Sequence, residues 1–156
     1  MAGMRGRINL NDLRKFQKSL LKMTKSELQQ WNEAAVKELA ARLLAKAGKR
    51  TPVYKKIPND ANAHTGGTLR RGWTIGEVKK VGNEYTIEVF NPVHYAEYVE
   101  FGHRGVYVPE LGKVMHKNTH WTEGQFMLTM SEQELQLEAP KIMMNKLKTF
   151  MGGYFG

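Results

Sequence analysis

The residue types that most often carry chemistry are few in this chain and poorly spaced for it. The five histidines, His64, His94, His103, His116 and His120, invite a metal. Zinc needs three or four ligands in a defined geometry. His116 and His120 stand four apart, with Glu123 three further on, but Lys117, Asn118 and Thr119 between them are poor helix material. The spacing therefore does not bring both imidazoles to one face, and no Glu follows His116 as a zinc-protease helix requires. These histidines read as loop residues, and no metal site is expected. Cysteine is absent, which removes disulfides, thiolate ligands and a cysteine nucleophile. Ser19, Ser26 and Ser131 all fall on predicted helices. No Gly-x-Ser-x-Gly elbow and no Walker loop is present. Glu97 and Glu100 are neighbours, and paired carboxylates can do acid–base work. They lie on a short amphipathic segment, where a solvated or interface role suits them better. Nothing in these residues requires catalysis, and no cofactor is expected.

The elements that would position these groups can be read from periodicity. Leu10, Leu13, Phe16, Leu20 and Leu21 predict a short amphipathic helix over residues 8–23. Thr24 and Glu27 form a capping box. A longer helix follows, its stripe Leu28, Trp31, Ala35, Leu39 and Leu43 widened by Val36, Ala40 and Leu44. Gly48 is its predicted C-cap, with Lys46, Lys49 and Arg50 near the negative end of the dipole. Residues 49–67 and 103–120 read as long loops, and residues 1–9 as a flexible basic arm. Between the loops, Trp73 to Val81 and Tyr85 to Phe90 flank Gly82-Asn83 as a hairpin. Residues 95–101 make one or two helical turns ending at Gly102. Val106 to Val108 and Val114-Met115 suggest a weaker second hairpin inside the second loop. From Phe126 to Phe150 apolar residues recur at helical intervals, and Pro140 is expected to kink or restart that helix. The order helices, strands, helix predicts an α+β fold, a small antiparallel sheet packed with a long helix from the N-terminal half and a C-terminal helix.

The 156 residues suit a single domain, 1–156, with a core of its own. No apolar run approaches the roughly 20 residues of a membrane span, and the first residues lack the apolar stretch of a signal peptide. Charge is unevenly placed. The net charge is +9. Residues 1–58 carry 14 Lys and Arg against Asp12, Glu27, Glu33 and Glu38, while Glu84 to Glu138 holds nine acids against Arg104, Lys113 and Lys117. A basic end can meet phosphates, an acidic partner, or the acidic middle of another copy; it can also be a solvated helix face. The nine methionines, with Met143-Met144, Phe150-Met151 and Tyr154-Phe155, leave more apolar surface than one helix face hides. Part of it is expected to meet another chain.

Three segments together are specific. Gly66-Gly67-Thr68-Leu69-Arg70-Arg71-Gly72-Trp73 precedes the first hairpin. Tyr95-Ala96-Glu97-Tyr98-Val99-Glu100-Phe101-Gly102 follows it. Trp121-Thr122-Glu123-Gly124 opens the last helix. Their order and spacing resemble a family of head–tail joining and tail-completion (neck) proteins of long-tailed bacteriophages and prophages, akin to the minor tail protein Z kind. The resemblance spans about residues 10–150, with its specific part at 65–128; Gly72 departs from it, since Ser is more usual there. It implies a structural virion protein and not an enzyme. Such a subunit sits in a ring, commonly sixfold, at the neck, after assembly in the host cytoplasm. The implied partners are further copies and neighbouring neck, terminator or tail-tube proteins, with DNA close by and no membrane.

Within that reading, Arg70, Arg71, Trp73, Tyr95, Glu97, Tyr98, Glu100, Arg104 and Trp121 are the candidate subunit or partner interface. Tyr95, Tyr98, Val99 and Phe101 would pack on the sheet. Glu97 and Glu100 would meet Arg70, Arg71 or Arg104 of a neighbour, or Glu100 would pair inside its own subunit. Arg5, Arg7, Arg14, Lys15, Lys18 and Lys22 form the candidate basic face, docked on an acidic partner or lining a DNA passage, with docking favoured. Three rivals remain. A tail terminator ring has similar size and fold. A stand-alone nucleic-acid-binding protein has the charge, with Trp31, Trp73 and Trp121, but no recognised motif. A small nuclease lacks a carboxylate–metal constellation.

Overall fold

A computed structural model describes residues 18, 21–53, 66–108, 113–115 and 121–152. Before the first long helix, Lys18, Leu21 and Lys22 are helical. Helix α1 then spans Lys25–Arg50 and opens as the sequence predicts. The Glu27 amide donates to the Thr24 hydroxyl at 3.2 Å, and the Thr24 amide donates to the Glu27 carboxylate at 2.7 Å. Its end differs from expectation. Gly48 lies inside the helix, and Thr51 is the cap, its amide donating to the carbonyls of Ala47 and Gly48. The extra residues are held from outside the helix, because Arg50 donates to Ser131 and Glu134 while Thr51 accepts from the Trp73 indole on its hydroxyl and from Arg70 on its carbonyl.

The second half of the chain runs α2 (Thr68–Arg71), β1 (Thr74–Ile75), β2 (Lys79–Val81), β3 (Glu84–Thr86), β4 (Val89–Phe90), α3 (Ala96–Phe101), β5 (Gly102–Arg104), β6 (Val106–Val108), β7 (Lys113–Met115), β8 (Trp121–Glu123) and α4 (Met127–Gly152). The first hairpin is one ribbon in two ladders. Thr74 faces Phe90 and Ile75 faces Val89; Lys79 then faces Thr86 and Val81 faces Glu84. Three residues, Gly76 to Val78, therefore stand opposite two, Ile87 and Glu88. This is a bulge that turns the ribbon. The Gly76 amide donates to the Glu88 carbonyl at 2.8 Å beside it. Inside the segment expected as a loop over 103–120, the expected weaker hairpin is present as β6 and β7, and β5 is a strand that the sequence reading did not expect. Gly102, His103 and Arg104 pair with Glu123, Thr122 and Trp121, and Val106 to Val108 pair with Met115 to Lys113. The expected turn at 109–112 lies outside the described residues, as do the arm at 1–9 and most of the loop at 49–67.

Helix α1 packs along α4 and against strands of the first hairpin, an α+β arrangement. The two helices run antiparallel, as their ion pairs show. Lys46 meets Glu134 at 2.8 Å and Glu138 at 3.1 Å, Arg50 meets Glu134, and Glu38 meets Lys146 at 2.8 Å. Part of the basic surplus of the N-terminal half is thus matched by acids of the same chain. The buried positions of α1 are Ala35, Ala40 and Ala47, while Leu28 of the predicted stripe is exposed. Small side chains let neighbouring backbones approach where a leucine stripe would hold them apart. Helix α4 continues through Pro140 without a restart. Proline there leaves the Gln136 carbonyl without its helical donor.

The central cluster is Ala47, Leu69, Trp73 and Met127, with Leu44, Val89, Val93, Tyr95, Ala96, Val99 and Leu128 packed on it. A buried polar chain runs through it. The Trp73 indole donates to the Thr51 hydroxyl at 2.7 Å, and that hydroxyl donates to the Ala47 carbonyl at 2.7 Å. Arg70 donates to the Thr51 carbonyl at 2.7 Å, and the Asn91 side-chain Nδ2 donates to the Leu69 carbonyl at 2.7 Å. Every side-chain donor of this hydrogen-bonded series has a partner, as low-dielectric surroundings demand; elsewhere among the described residues Trp31 Nε1 and His103 Nδ1 are buried without a hydrogen bond. Gly72 is explained here: a Cβ would sit 2.5 Å from the Asn91 side-chain oxygen.

Candidate assembly interface

The sharpest sequence segment, Tyr95 to Gly102, becomes α3 and the start of β5, and its centre is Glu100. This glutamate is buried. Its carboxylate accepts from the Leu128 amide at 2.9 Å, the Thr129 amide at 2.8 Å and the Thr129 hydroxyl at 2.8 Å. These amides belong to the first turn of α4, where backbone donors lack helical acceptors and the helix dipole is positive. Phe126 stands at the usual capping position and has no side-chain acceptor. Glu100, far away in sequence, supplies the cap instead. Of the two readings of Glu100, pairing inside its own subunit is the one the geometry takes, and its carboxylate is not directed at a neighbouring arginine.

The backbone around this cap is tightly fixed. The Gln125 amide donates to the Val99 carbonyl at 2.7 Å, and the Phe126 amide donates to the Glu100 carbonyl at 3.0 Å. Gly102 has φ 83°, and a Cβ there would collide with the Thr122 carbonyl and lie 2.8 Å from the Trp121 ring. A Cβ on Gly124 would collide with the Glu100 carbonyl. Two chain segments therefore cross at contact distance, which only glycine permits. Phe126 has φ 47°, a left-handed conformation that is costly for a bulky residue and persists only where surroundings impose it.

Aromatic side chains leave this rigid elbow towards solvent. Phe101 is 59% exposed and Trp121 52% exposed; Phe126, Tyr98 and Phe90 are also exposed. Tyr98 stands edge-on to His103, ring centroids 6.0 Å apart. An open groove of about 290 Å³ runs beside the elbow, lined by Phe90, Glu97, Phe101, Leu128 and Glu132. Glu97 lines the groove, and exposed Arg104 lies opposite Trp121 in the β5–β8 pair. A rigid surface rich in exposed aromatic side chains has the composition of a protein–protein contact.

The structure sorts the sequence candidates. Glu97, Tyr98, Arg104 and Trp121 lie on this exposed elbow. Tyr95 and Val99 pack on the core as expected, whereas Tyr98 and Phe101 do not, because the short helix shows its other face to solvent. Trp73 is a core residue with its indole nitrogen satisfied, and it reaches the surface only where it lines the groove. Arg70 is held by the Thr51 carbonyl, and Arg71 makes a long 3.4 Å contact to the Gly66 carbonyl. Neither reaches Glu97 or Glu100 in the chain itself. Lys18 and Lys22 are exposed; Arg5, Arg7, Arg14 and Lys15 lie outside the described residues. Phe126 and Phe90 had no place among the candidates. The available signal was Phe126 itself, a bulky apolar residue at a helix start that lacked any capping side chain.

Residues 14–102 match a family described as "Bacteriophage HK97-gp10, putative tail-component". The chain belongs to this family. The matched stretch covers more than half of the sequence and includes α1, the first hairpin and α3, ending at Gly102. No curated protein and no solved structure matches the chain. An HK97-gp10-like protein is thereby a structural phage tail component, associated with the virion. Among the described residues no group of His, Asp and Glu could hold a metal ion, and no helix is long and apolar enough to cross a membrane.

Proposed function

We propose that this HK97-gp10-like protein is a ring subunit that joins head and tail, or completes the tail, of a long-tailed phage or prophage. The observation that carries the proposal is the exposed aromatic elbow of Tyr98, Phe101, Trp121 and Phe126. The Glu100 cap and the Gly102–Gly124 crossing hold it rigid. In the ring the aromatics insert against the next subunit or the adjoining tail protein and supply affinity, while Glu97 and Arg104 fix register. A sixfold ring is the closed form this heterologous contact takes. The basic N-terminal region, with Lys18 and Lys22, docks on an acidic neighbour. Stand-alone nucleic-acid binding is less favoured, because Lys46, Arg50 and Arg70 are engaged within the chain. A tail terminator ring would use the same surface, and the narrower likeness to the protein Z kind belongs to the same proposal.

The test is complementation of a phage deleted for this gene, with Phe101→Ser and Trp121→Ser variants. Each variant is first checked for native circular dichroism. Loss of infectious particles, with heads and tails present but unjoined or tails of abnormal length, is the expected result. Full complementation by both variants would sink the elbow as the assembly surface.

A further inference from the structure

The groove beside the elbow combines an apolar lining with free acids. Phe90, Phe101 and Leu128 line it together with Glu97 and Glu132. Both glutamates are exposed, and among the described residues neither has a hydrogen bond or an ion pair. Glu132 differs in this from its α4 neighbours Glu134 and Glu138, which Lys46 and Arg50 already hold. An apolar groove with unpaired carboxylates fits an apolar segment that carries bases.

The N-terminal stretch of this chain has that composition. Leu10, Leu13, Phe16 and Leu20 make an apolar stripe at helical spacing, and Arg14, Lys18 and Lys22 recur at every fourth position along its flank. Asp12 is the one acid between Arg5 and Lys22. The stretch does not reach the groove of its own chain. Ala47, near the end of α1, packs with Trp73 and Met127, which line the groove, and Lys25 stands about 33 Å back along the helix. Lys18, Leu21 and Lys22 are helical. Continued in that form and folded straight back, Leu10 comes only about 22 Å from Lys25. Leu13 and Phe16 come less far.

We infer that the groove takes the N-terminal segment of a neighbouring copy, with Leu13 and Phe16 against Phe90, Phe101 and Leu128, and Arg14 and Lys18 on Glu97 and Glu132. The inference rests on the elbow being an assembly surface and names its occupant. The contact is heterologous. Each copy gives one segment and receives one, so copies link head to tail, and the series closes as a ring. The free acids of each groove and the free bases of each segment are then matched throughout.

The chain has no cysteine, so placed cysteines report the contact. Gln17→Cys adjoins Phe16, and Gln136→Cys is an exposed position one turn along α4 from Glu132. Full-length copies carrying one or the other are mixed at rising concentration and treated with a short bismaleimide. The expected result is a cross-linked dimer in the mixture and in neither variant alone. A chain carrying both cysteines should give a ladder of linked copies. Glu97→Lys with Glu132→Lys on the Gln136→Cys copy should slow linking roughly tenfold or more. Arg14→Glu with Lys18→Glu on the Gln17→Cys copy should then restore it, which a merely structural effect of the glutamate changes would not allow. A link closed inside single chains, with no ladder, would overturn the inference, because the segment then serves its own groove. So would linking at an unchanged rate after charge reversal, or no link at any concentration. If no link forms while Phe101→Ser and Trp121→Ser still fail to complement, the elbow stands as an assembly surface and the named occupant is wrong.

Discussion

Replacing Glu100 by alanine removes the carboxylate that accepts three hydrogen bonds at the start of α4. Bonds to a charged acceptor are worth about 1.5–3 kcal/mol each. The full sum is not lost, because the open groove beside Glu100 lets water reach the orphaned amides. Loss of an ordinary helix cap costs about 0.5–2 kcal/mol and sets the floor. The expected cost is about 3 kcal/mol, which for a chain of this size lowers Tm by about 6–12 °C. Glu100→Gln keeps one acceptor but turns an NH₂ towards backbone donors and loses the charge at the helix dipole. It should cost about 2 kcal/mol. Urea unfolding followed by tryptophan fluorescence measures both, with an unchanged slope as the sign that the same surface unfolds. The exposed Glu97→Ala is the control and should stay within about 0.5 kcal/mol. If Glu100→Ala costs no more than that control, the carboxylate is not the cap of α4, and the rigidity of the elbow needs another source.

Three further outcomes are expected. Gly102→Ala and Gly124→Ala each drive a Cβ into a backbone carbonyl and should each cost about 2–4 kcal/mol, read as lower Tm and lower soluble yield. Gly48→Ala is the opposite case, since that helical glycine has nothing within 4 Å of its Cβ position; Tm should rise by the equivalent of about 1 kcal/mol. The α1–α4 seam should weaken in acid. The hydrogen bonds from Lys46 and Arg50 hold the Glu134 carboxyl below its usual value, those from Lys146 and Arg42 do the same for Glu38, and Lys46 is raised by Glu134. A depressed carboxyl contributes stability that is full above the ordinary carboxylate range and is lost as pH falls through the depressed value; the raised lysine loses its share only above the ordinary lysine range. Thermal melts should therefore be flat near neutrality and fall below about pH 4, with a smaller fall in a Lys46→Met, Lys146→Met variant.

Much of the architecture was legible from local pattern. The capping box at Thr24, the two-residue turn at Gly82-Asn83 and the turn of helix ending at Gly102 each depend on neighbours within a few residues, and each stands where the sequence puts it. Where prediction and structure part, a distant partner is responsible. α1 outruns Gly48 because Arg50 and Thr51 are held by α4 and by the core. Gly102 to Arg104, at the start of the supposed loop, becomes a strand because Trp121 to Glu123 return to pair with it, while the local hairpin of 106–108 with 113–115 stands where the sequence puts it. Trp73 looked like a surface anchor, yet a hydroxyl 22 residues earlier in the chain satisfies its indole and takes it inside.

The candidate site divides on the same line. Sequence alone determined that the chain is an α+β protein without thiols, with a basic N-terminal half, and with an aromatic-acidic segment at 95–102 as its most distinctive feature. Those properties reside in composition and short-range spacing. Only the tertiary structure decided that Glu100 faces inward to cap α4 while Phe101 and Trp121 face outward. On a six-residue helix both faces are amphipathic enough to be buried. What chose between them was the set of unsatisfied amides at Leu128 and Thr129, which must find an acceptor and find it in a carboxylate 28 residues away. That long-range demand turns the rest of the segment towards solvent and leaves its aromatic rings to a partner.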